Sequence, residues 1–498
     1  MNKALNPIGI GDDSIESQPG ASTIIAQTHQ LRRNFSLLSV IGIGFSLANS
    51  WFGISTALAT GIVSGGPVQL VYGLILITFV CGCIAVSLAE LSSSMPDAGG
   101  QYYWTRQLAS ERYGRFLSYL TGSIAWTGSL FTCASIALGV GNLCMGCIKL
   151  AHPSLEIKPW MTFVCYQVVN LSCALFNMYS RALPLITQGT LWTSVISFVV
   201  ILTAIPIKSS NYQPTSFVFT KFINQTGWHS NGIAYIVGLI NSNWAFNGLD
   251  CATHMADEVL EPERIIPIAI LSTVAIGFLT AWPFSIAMLY CMNDFEGIAN
   301  TDTKVPILQL FLQVLQSKAG AIILTSMIIL TGCGCLIASH TWQARLCWSF
   351  ARDRGLPCSE YLSRIHPKLL VPVWAHLTST LIVSILGCLY LASYTAFNSM
   401  VTAAVVMLYA SYSIPVVCLL TRGRSKIQHG PFWLGHIGLA CNLVLLAWLL
   451  FTLVMYAFPP AYPATTGNMN YVCVVYFITI LVILSWWAID AKRNFGTL

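Results

Sequence analysis

Charge is what this chain has least of: 8% of its 498 residues are Asp, Glu, Lys or Arg. A soluble domain carries about 25%. With 55% hydrophobic residues, the shortfall excludes a soluble multidomain protein, and no long polar stretch remains for an independent soluble domain. A signal-peptide pattern is also missing. Residues 1–34 are polar and are expected to form a cytosolic tail. Cysteine is plentiful, but its usual uses are absent. The 17 thiols are scattered through apolar stretches rather than short polar loops, which argues against a secreted disulfide scaffold and for buried free thiols. Cys81/Cys83 and Cys333/Cys335 have no His clusters beside them, so no metal and no cofactor are expected. None of the nine His residues opens an HxxxD pattern, and no nucleophile elbow appears. A membrane acyltransferase or other enzyme is therefore not expected.

What the chain does have is apolar length. Stretches of about 20 residues, enough for a helix to cross a bilayer, recur at 36–60, 67–91, 116–148, 160–177, 185–206, 233–256, 266–291, 319–341, 372–391, 395–420, 432–457 and 470–490. The reading is an all-α integral membrane protein of twelve transmembrane helices. Basic residues set its orientation. If the N-terminus is cytosolic, the outer face holds only Lys149, Lys158, Lys208, Lys221, Lys304 and Lys318, while every Arg lies inside. Both termini, with a short tail at 491–498, are then cytosolic. The net charge of +6 follows from that bias and does not suggest nucleic acid. Asn224-Gln225-Thr226 is a glycosylation sequon on a predicted outer loop, whereas Asn34-Phe35-Ser36 would be inside and silent.

Two of these spans are interrupted. One reads Ser39-Val40-Ile41-Gly42-Ile43-Gly44-Phe45-Ser46-Leu47-Ala48-Asn49-Ser50-Trp51. The other reads Ile240-Asn241-Ser242-Asn243-Trp244-Ala245-Phe246-Asn247-Gly248-Leu249-Asp250. Lipid cannot hydrogen-bond a backbone, so a broken helix survives at membrane depth only beside protein or a wet cavity. Broken helices at matching places in two halves mark a transporter binding site. The chain therefore reads as a secondary transporter. A channel fits less well, because bound-substrate turnover suits a midplane site better than a continuous pore does.

Four motifs then resemble a known group. Residues 90–104, Glu-Leu-Ser-Ser-Ser-Met-Pro-Asp-Ala-Gly-Gly-Gln-Tyr-Tyr-Trp, resemble the loop after the second helix of amino acid–polyamine–organocation (APC) permeases. Residues 351–357, Ala-Arg-Asp-Arg-Gly-Leu-Pro, are similar to that superfamily's loop after the eighth helix, and 254–267 to its exit from the sixth. Asn49-Ser50-Trp51-Phe52-Gly53-Ile54-Ser55 and Ser64-Gly65-Gly66-Pro67 resemble the fungal amino acid/choline branch, which includes GABA and choline permeases. The resemblance spans roughly 30–490. It implies a LeuT-type five-plus-five inverted repeat, with a core at 35–420 (repeats about 35–206 and 233–420) and two extra helices at 421–490. It also implies alternating access around the first and sixth helices, and a proton-coupled symporter of amino acids or amines such as choline or GABA at the plasma membrane, with a vacuolar location open. A nutrient sensor on the same scaffold and an exporter of a specialised metabolite are the alternatives.

Candidate residues follow. Gly42 and Gly44 permit backbone distortion and, in relatives, such glycines offer N–H groups to a carboxylate; otherwise they serve close helix packing. The sequence after Gly44, Phe45-Ser46-Leu47-Ala48, lacks a further glycine, which leans away from carboxylate recognition. Ser46 and Asn49 complete the first break. Trp51, Phe52, Trp244 and Phe246 flank the breaks, and aromatic faces bind ammonium groups; core packing is the default for each. Asp250 is the sharpest candidate, since an intramembrane carboxylate is costly unless it has a function, either carrying a proton or facing the substrate's cation. Its alternative is helix capping. Asp250, His254 and Asp257 or Glu258 recur along one polar stripe, with Asp250, His254 and Glu258 expected to serve coupling or gating. Arg181 stands near the place where some proton-coupled relatives have Lys, and otherwise is a positive-inside anchor.

Overall fold

A computed structural model describes residues 35–179 and 181–496. The expected tail at 1–34 and the sequon at Asn34 lie outside the described residues. Eleven helical stretches among the described residues are long and apolar enough to cross a membrane. The first expected span consists of α1 (Leu37–Leu47) and α2 (Ser50–Val63). Next come α3 (Leu74–Ser94), entered through a π-helical turn at Gln69–Gly73, the short α4 (Gln101–Leu108), α5 (Glu111–Ala151), α6 (Pro159–Leu175) and α7 (Leu183–Lys208). The second half holds α8 (Asn231–Trp244), α9 (Pro262–Tyr290), α10 (Pro306–Leu315), α11 (Lys318–Arg352), α12 (Val373–Ala392), α13 (Tyr394–Arg422), α14 (His436–Met455) and α15 (Val472–Trp486).

The expected sixth span, 233–256, is where expectation and structure differ most. It resolves into α8, a turn at 245–252 and a 3-10 helix at Thr253–Glu258. The 14 residues of α8 rise about 21 Å, less than the roughly 30 Å of hydrocarbon. Gly248 sits in the turn at φ +79°, a backbone region that glycine enters without the usual steric penalty. The first span breaks later than its glycines. α1 runs helical through Gly42 and Gly44, and the chain leaves the helix at Ala48 and Asn49. Asn49 restarts it, its Oδ1 accepting from Phe52 N at 3.3 Å, the ordinary N-cap arrangement.

The two broken segments lie against each other. A Cβ on Gly53 would come 2.8 Å from Ala245 Cα, and one on Gly248 would come 2.7 Å from Leu47 Cδ2. α5 lies at the centre of the bundle, against α11 on one flank and α13 on another. Buried Glu90 of α3 fixes the 424–434 segment. Arg424 Nη2 donates to both its oxygens, at 3.0 and 2.9 Å, and Leu434 N donates at 2.8 Å. Two short strands, β1 (Ser64–Gly65) and β2 (Ile223–Asn224), pair antiparallel beyond α2.

Candidate functional site

A vestibule of about 430 Å³ opens at the bundle end where α2 and α5 finish and α13 begins. Its walls include Thr56, Thr60, Asn142, Asn241, Phe397, Asn398 and Tyr456, and Trp244 lies at its base. Below Trp244 lies a cavity of about 10 Å³, room for one water molecule. Leu47, Asn49, Phe52, Thr132, Ile136, Trp244, Ala245, Asn247 and Cys335 line it. Both helix breaks contribute, so this is where the two interruptions meet. Trp244 borders both spaces and is held as a partition: its indole N–H donates to Ser135 Oγ at 2.9 Å, and its ring centroid lies 6.3 Å from that of Phe52.

The cavity's electrostatics follow from backbone ends. α1 ends at Leu47 and α8 at Trp244, so two helix C-termini, each carrying partial negative charge, converge there. α2 also starts nearby, but Asn49 caps its N-terminus. Cys335 Sγ donates to Leu47 O at 3.0 Å, satisfying one carbonyl freed by the break. No lining side chain carries a formal charge. Such a site favours a cation and offers a carboxylate no basic partner.

The expected residues divide into two sets. Asn49 and Trp244 line the cavity, and Phe52 joins them. Asn49 Nδ2 also donates to Ser194 Oγ at 2.7 Å. Ser46 bonds Thr190 Oγ1 at 3.1 Å on α7. Gly42 abuts the Thr187 carbonyl, where a Cβ would lie 2.9 Å away, and a Cβ on Gly44 would lie 2.7 Å from Thr273 Oγ1. Here both glycines serve close helix packing. Trp51 is buried against Phe284 and Phe198 and donates to Ser194 Oγ at 3.0 Å. Phe246 turns toward α9, its ring 2.9 Å from the Cβ position of Gly277. Arg181 is exposed before α7, with no ion pair among the described residues.

Asp250 is fully buried, and its side chain faces other side chains rather than capping a helix. Gln101 Nε2 donates to Oδ2 at 2.7 Å, Tyr412 Oη donates to Oδ1 at 2.6 Å, and His254 Nε2 lies 3.1 Å from Oδ2. His254 Nδ1 lies 2.7 Å from Ala98 O. The expected stripe divides after His254. Glu258 accepts from Arg345 Nε of α11 at 2.9 Å, both residues being buried. Asp257 instead accepts from Arg352 Nη1 at 3.1 Å. Arg352 also approaches Asp97 at 3.6 Å. These pairs join α11, the 253–258 segment and the 95–100 loop, closing the bundle end opposite the vestibule. Burial pushes the Asp97 carboxyl above its ordinary value, against the Gly99 N–H and the Arg352 guanidinium. Keeping that charge dehydrated has a cost that opening this end to water would relieve. The exposed Glu261–Arg264 pair, at 3.7 Å, contributes little.

Several participants were missed from sequence. Thr132 accepts from Asn247 Nδ2 at 2.8 Å. Gln101, Ser135 and Tyr412 come from α4, α5 and α13, inside or beside apolar runs with no local signal. Only Asn247 lay within a quoted interruption.

A many-helix membrane protein with two interrupted spans meeting at a central cavity is, as a class, a membrane transporter. The sequence agrees: residues 35–480 match the amino acid permease family, and the chain belongs to it. The chain is 47% identical to a choline transporter of Saccharomyces cerevisiae, over 98% of this chain and 86% of that one. It is 36% identical to the swainsonine transporter of Arthroderma benhamiae, over 97% and 95%. It is 32% identical to the 7-keto 8-aminopelargonic acid transporter of S. cerevisiae, over 91% of each. The protein is a membrane permease and not an enzyme, as its relatives are transporters.

Proposed function

We propose that this permease carries a small organic cation of the choline type, coupled to a proton, by alternating access around its two broken spans. The observation that carries the reading is the uncharged meeting point of the two breaks, bordered by Phe52, Trp244 and two helix C-termini; at about 10 Å³ it is closed here, and Trp244, which parts it from the vestibule, must move aside to admit the cation. A quaternary ammonium cannot donate a hydrogen bond, so it depends on aromatic faces and partial negative charge. The 47% identity to a choline transporter supports the same substrate class. Asn49, Phe52, Trp244 and Asn247 are the proposed substrate contacts. Gly42, Gly44, Ser46, Trp51 and Phe246 shape the frame around them. Asp250 and His254 carry the coupling, and Glu258 with Arg345 gates the far end. Arg181 is a positive-inside anchor, because Arg does not release its proton.

In this reading the twelfth span is the broken 231–258 segment, which completes the two five-helix repeats and their two extra helices. The vestibule faces outward, the termini are cytosolic, and the plasma membrane is the site of action. A second reading, transport of a specialised metabolite, has support in the likeness to the swainsonine transporter. Uptake of labelled choline by permease-deficient yeast expressing the chain tests the proposal. Uptake that rises with external acidity and collapses under a protonophore is expected. Surface-expressed protein without choline uptake overturns it.

The orientation makes a separate prediction. Asn224 lies beyond α2 at the vestibule end, its Oδ1 accepting from Thr226 Oγ1 at 2.7 Å and its Nδ2 donating to Trp228 O at 2.8 Å. Asn224→Gln is expected to increase gel mobility to that of glycosidase-treated wild type. Glycosidase sensitivity that survives the substitution contradicts the assignment.

A further inference from the structure

The hydrogens around His254 can be counted. Ala98 O only accepts, so His254 Nδ1, 2.7 Å away, carries a hydrogen. His254 Nε2 faces Asp250 Oδ2 at 3.1 Å. Were Nε2 bare and the carboxyl ionised, lone pairs would oppose each other where both side chains are fully buried. One additional proton between them removes the conflict. Asp250's other two contacts place it: Gln101 donates to Oδ2 at 2.7 Å and Tyr412 to Oδ1 at 2.6 Å. Both bonds are made to carboxylate lone pairs, so the one additional proton lies between Oδ2 and Nε2 and is shared by the pair. The remaining titratable or charged groups near the pair are Cys251 beside Asp250, and Arg345 of α11 with Glu258. That ion pair balances itself, so the net charge of the cluster depends on the one proton.

We propose that Gln101 and Tyr412 are positioning residues that let Asp250 and His254 share a single transported proton, and that the loaded pair favours the state in which the end opposite the vestibule is closed. This rests on the proton-coupled reading above and adds which state the proton stabilises. His254 is the link: one ring nitrogen holds the 95–100 loop through Ala98, the other holds the broken span through Asp250. Loss of the proton sets the imidazole lone pair against the carboxylate and weakens the tie that runs from Ala98 through His254 to the broken span. The cycle is balanced in protons. One is taken up while the vestibule is open, and the same one leaves when the opposite end opens and water reaches the pair.

The test is choline uptake against external pH, per molecule at the cell surface, in wild type, Tyr412→Phe, Gln101→Leu and His254→Gln. Tyr412→Phe and Gln101→Leu each remove a donor that competes with the shared proton for the carboxylate's lone pairs. The pH of half-maximal uptake is expected to rise by about one unit in each. His254→Gln is expected to lose its dependence on pH; if it fails to reach the surface, the Phe and Leu variants carry the test. A wild type that responds to pH and protonophore, beside variants that keep its midpoint, overturns the shared proton and leaves coupling intact. A wild type indifferent to both overturns the coupling itself.

Discussion

Trp244→Ala is expected to raise the half-saturation concentration for choline by about 30-fold. A desolvated cation–π contact is worth roughly 2 kcal/mol or more, and 1.4 kcal/mol is about tenfold in affinity. The residue has two roles. Its ring closes the cavity against Phe52, and its indole N–H fixes it to Ser135 between vestibule and cavity. Trp244→Phe keeps an aromatic face and loses the Ser135 bond, so a smaller rise of about fivefold is expected from one lost hydrogen bond. Uptake kinetics with surface quantification read both. An unchanged half-saturation concentration in Trp244→Ala would remove Trp244 from the substrate's path.

Asp250→Asn is expected to abolish accumulation of substrate above equilibrium, with initial uptake down about 100-fold. Breaking a buried pair by removing one partner costs about 3–5 kcal/mol, and an amide cannot take the proton that the pair is proposed to share. Gln101 and Tyr412 donate to the carboxylate and His254 Nε2 faces it at 3.1 Å; an amide replaces one of the two acceptor oxygens with a donor and leaves one of these contacts unmatched. The measurement is the steady-state ratio of internal to external choline in energised cells. A variant that still concentrates choline as wild type does would place the proton elsewhere.

Much of this fold was legible because the bilayer imposes lengths that composition reveals. The apolar stretches, the interruption near residue 244 and the basic asymmetry all come from local sequence. The exact first break was not. Gly42 and Gly44 looked like the point of distortion, yet both lie in regular helix, because what they supply is room for the Thr187 carbonyl and the Thr273 hydroxyl. The chain turns instead at Ala48–Asn49, where the Asn side chain restarts α2. Aromatic residues flanking a break cannot be sorted by sequence into cavity and core. Trp244 and Phe52 face the cavity, whereas Trp51 and Phe246 pack against α7 and α9. Gln101 and Tyr412 reach Asp250 across 149 and 162 residues, and no periodicity within α4 or α13 announces that meeting.

The central claim is that the cavity recognises a cation without a carboxylate partner. Its most direct test is competition against labelled choline uptake by three small molecules: tetramethylammonium, the uncharged choline isostere 3,3-dimethylbutan-1-ol, and GABA. Inhibition by tetramethylammonium alone is the predicted result, because aromatic faces and helix C-termini attract charge and the lining holds no basic group. Inhibition by GABA at concentrations similar to choline's would contradict the account and require a carboxylate site at the first break.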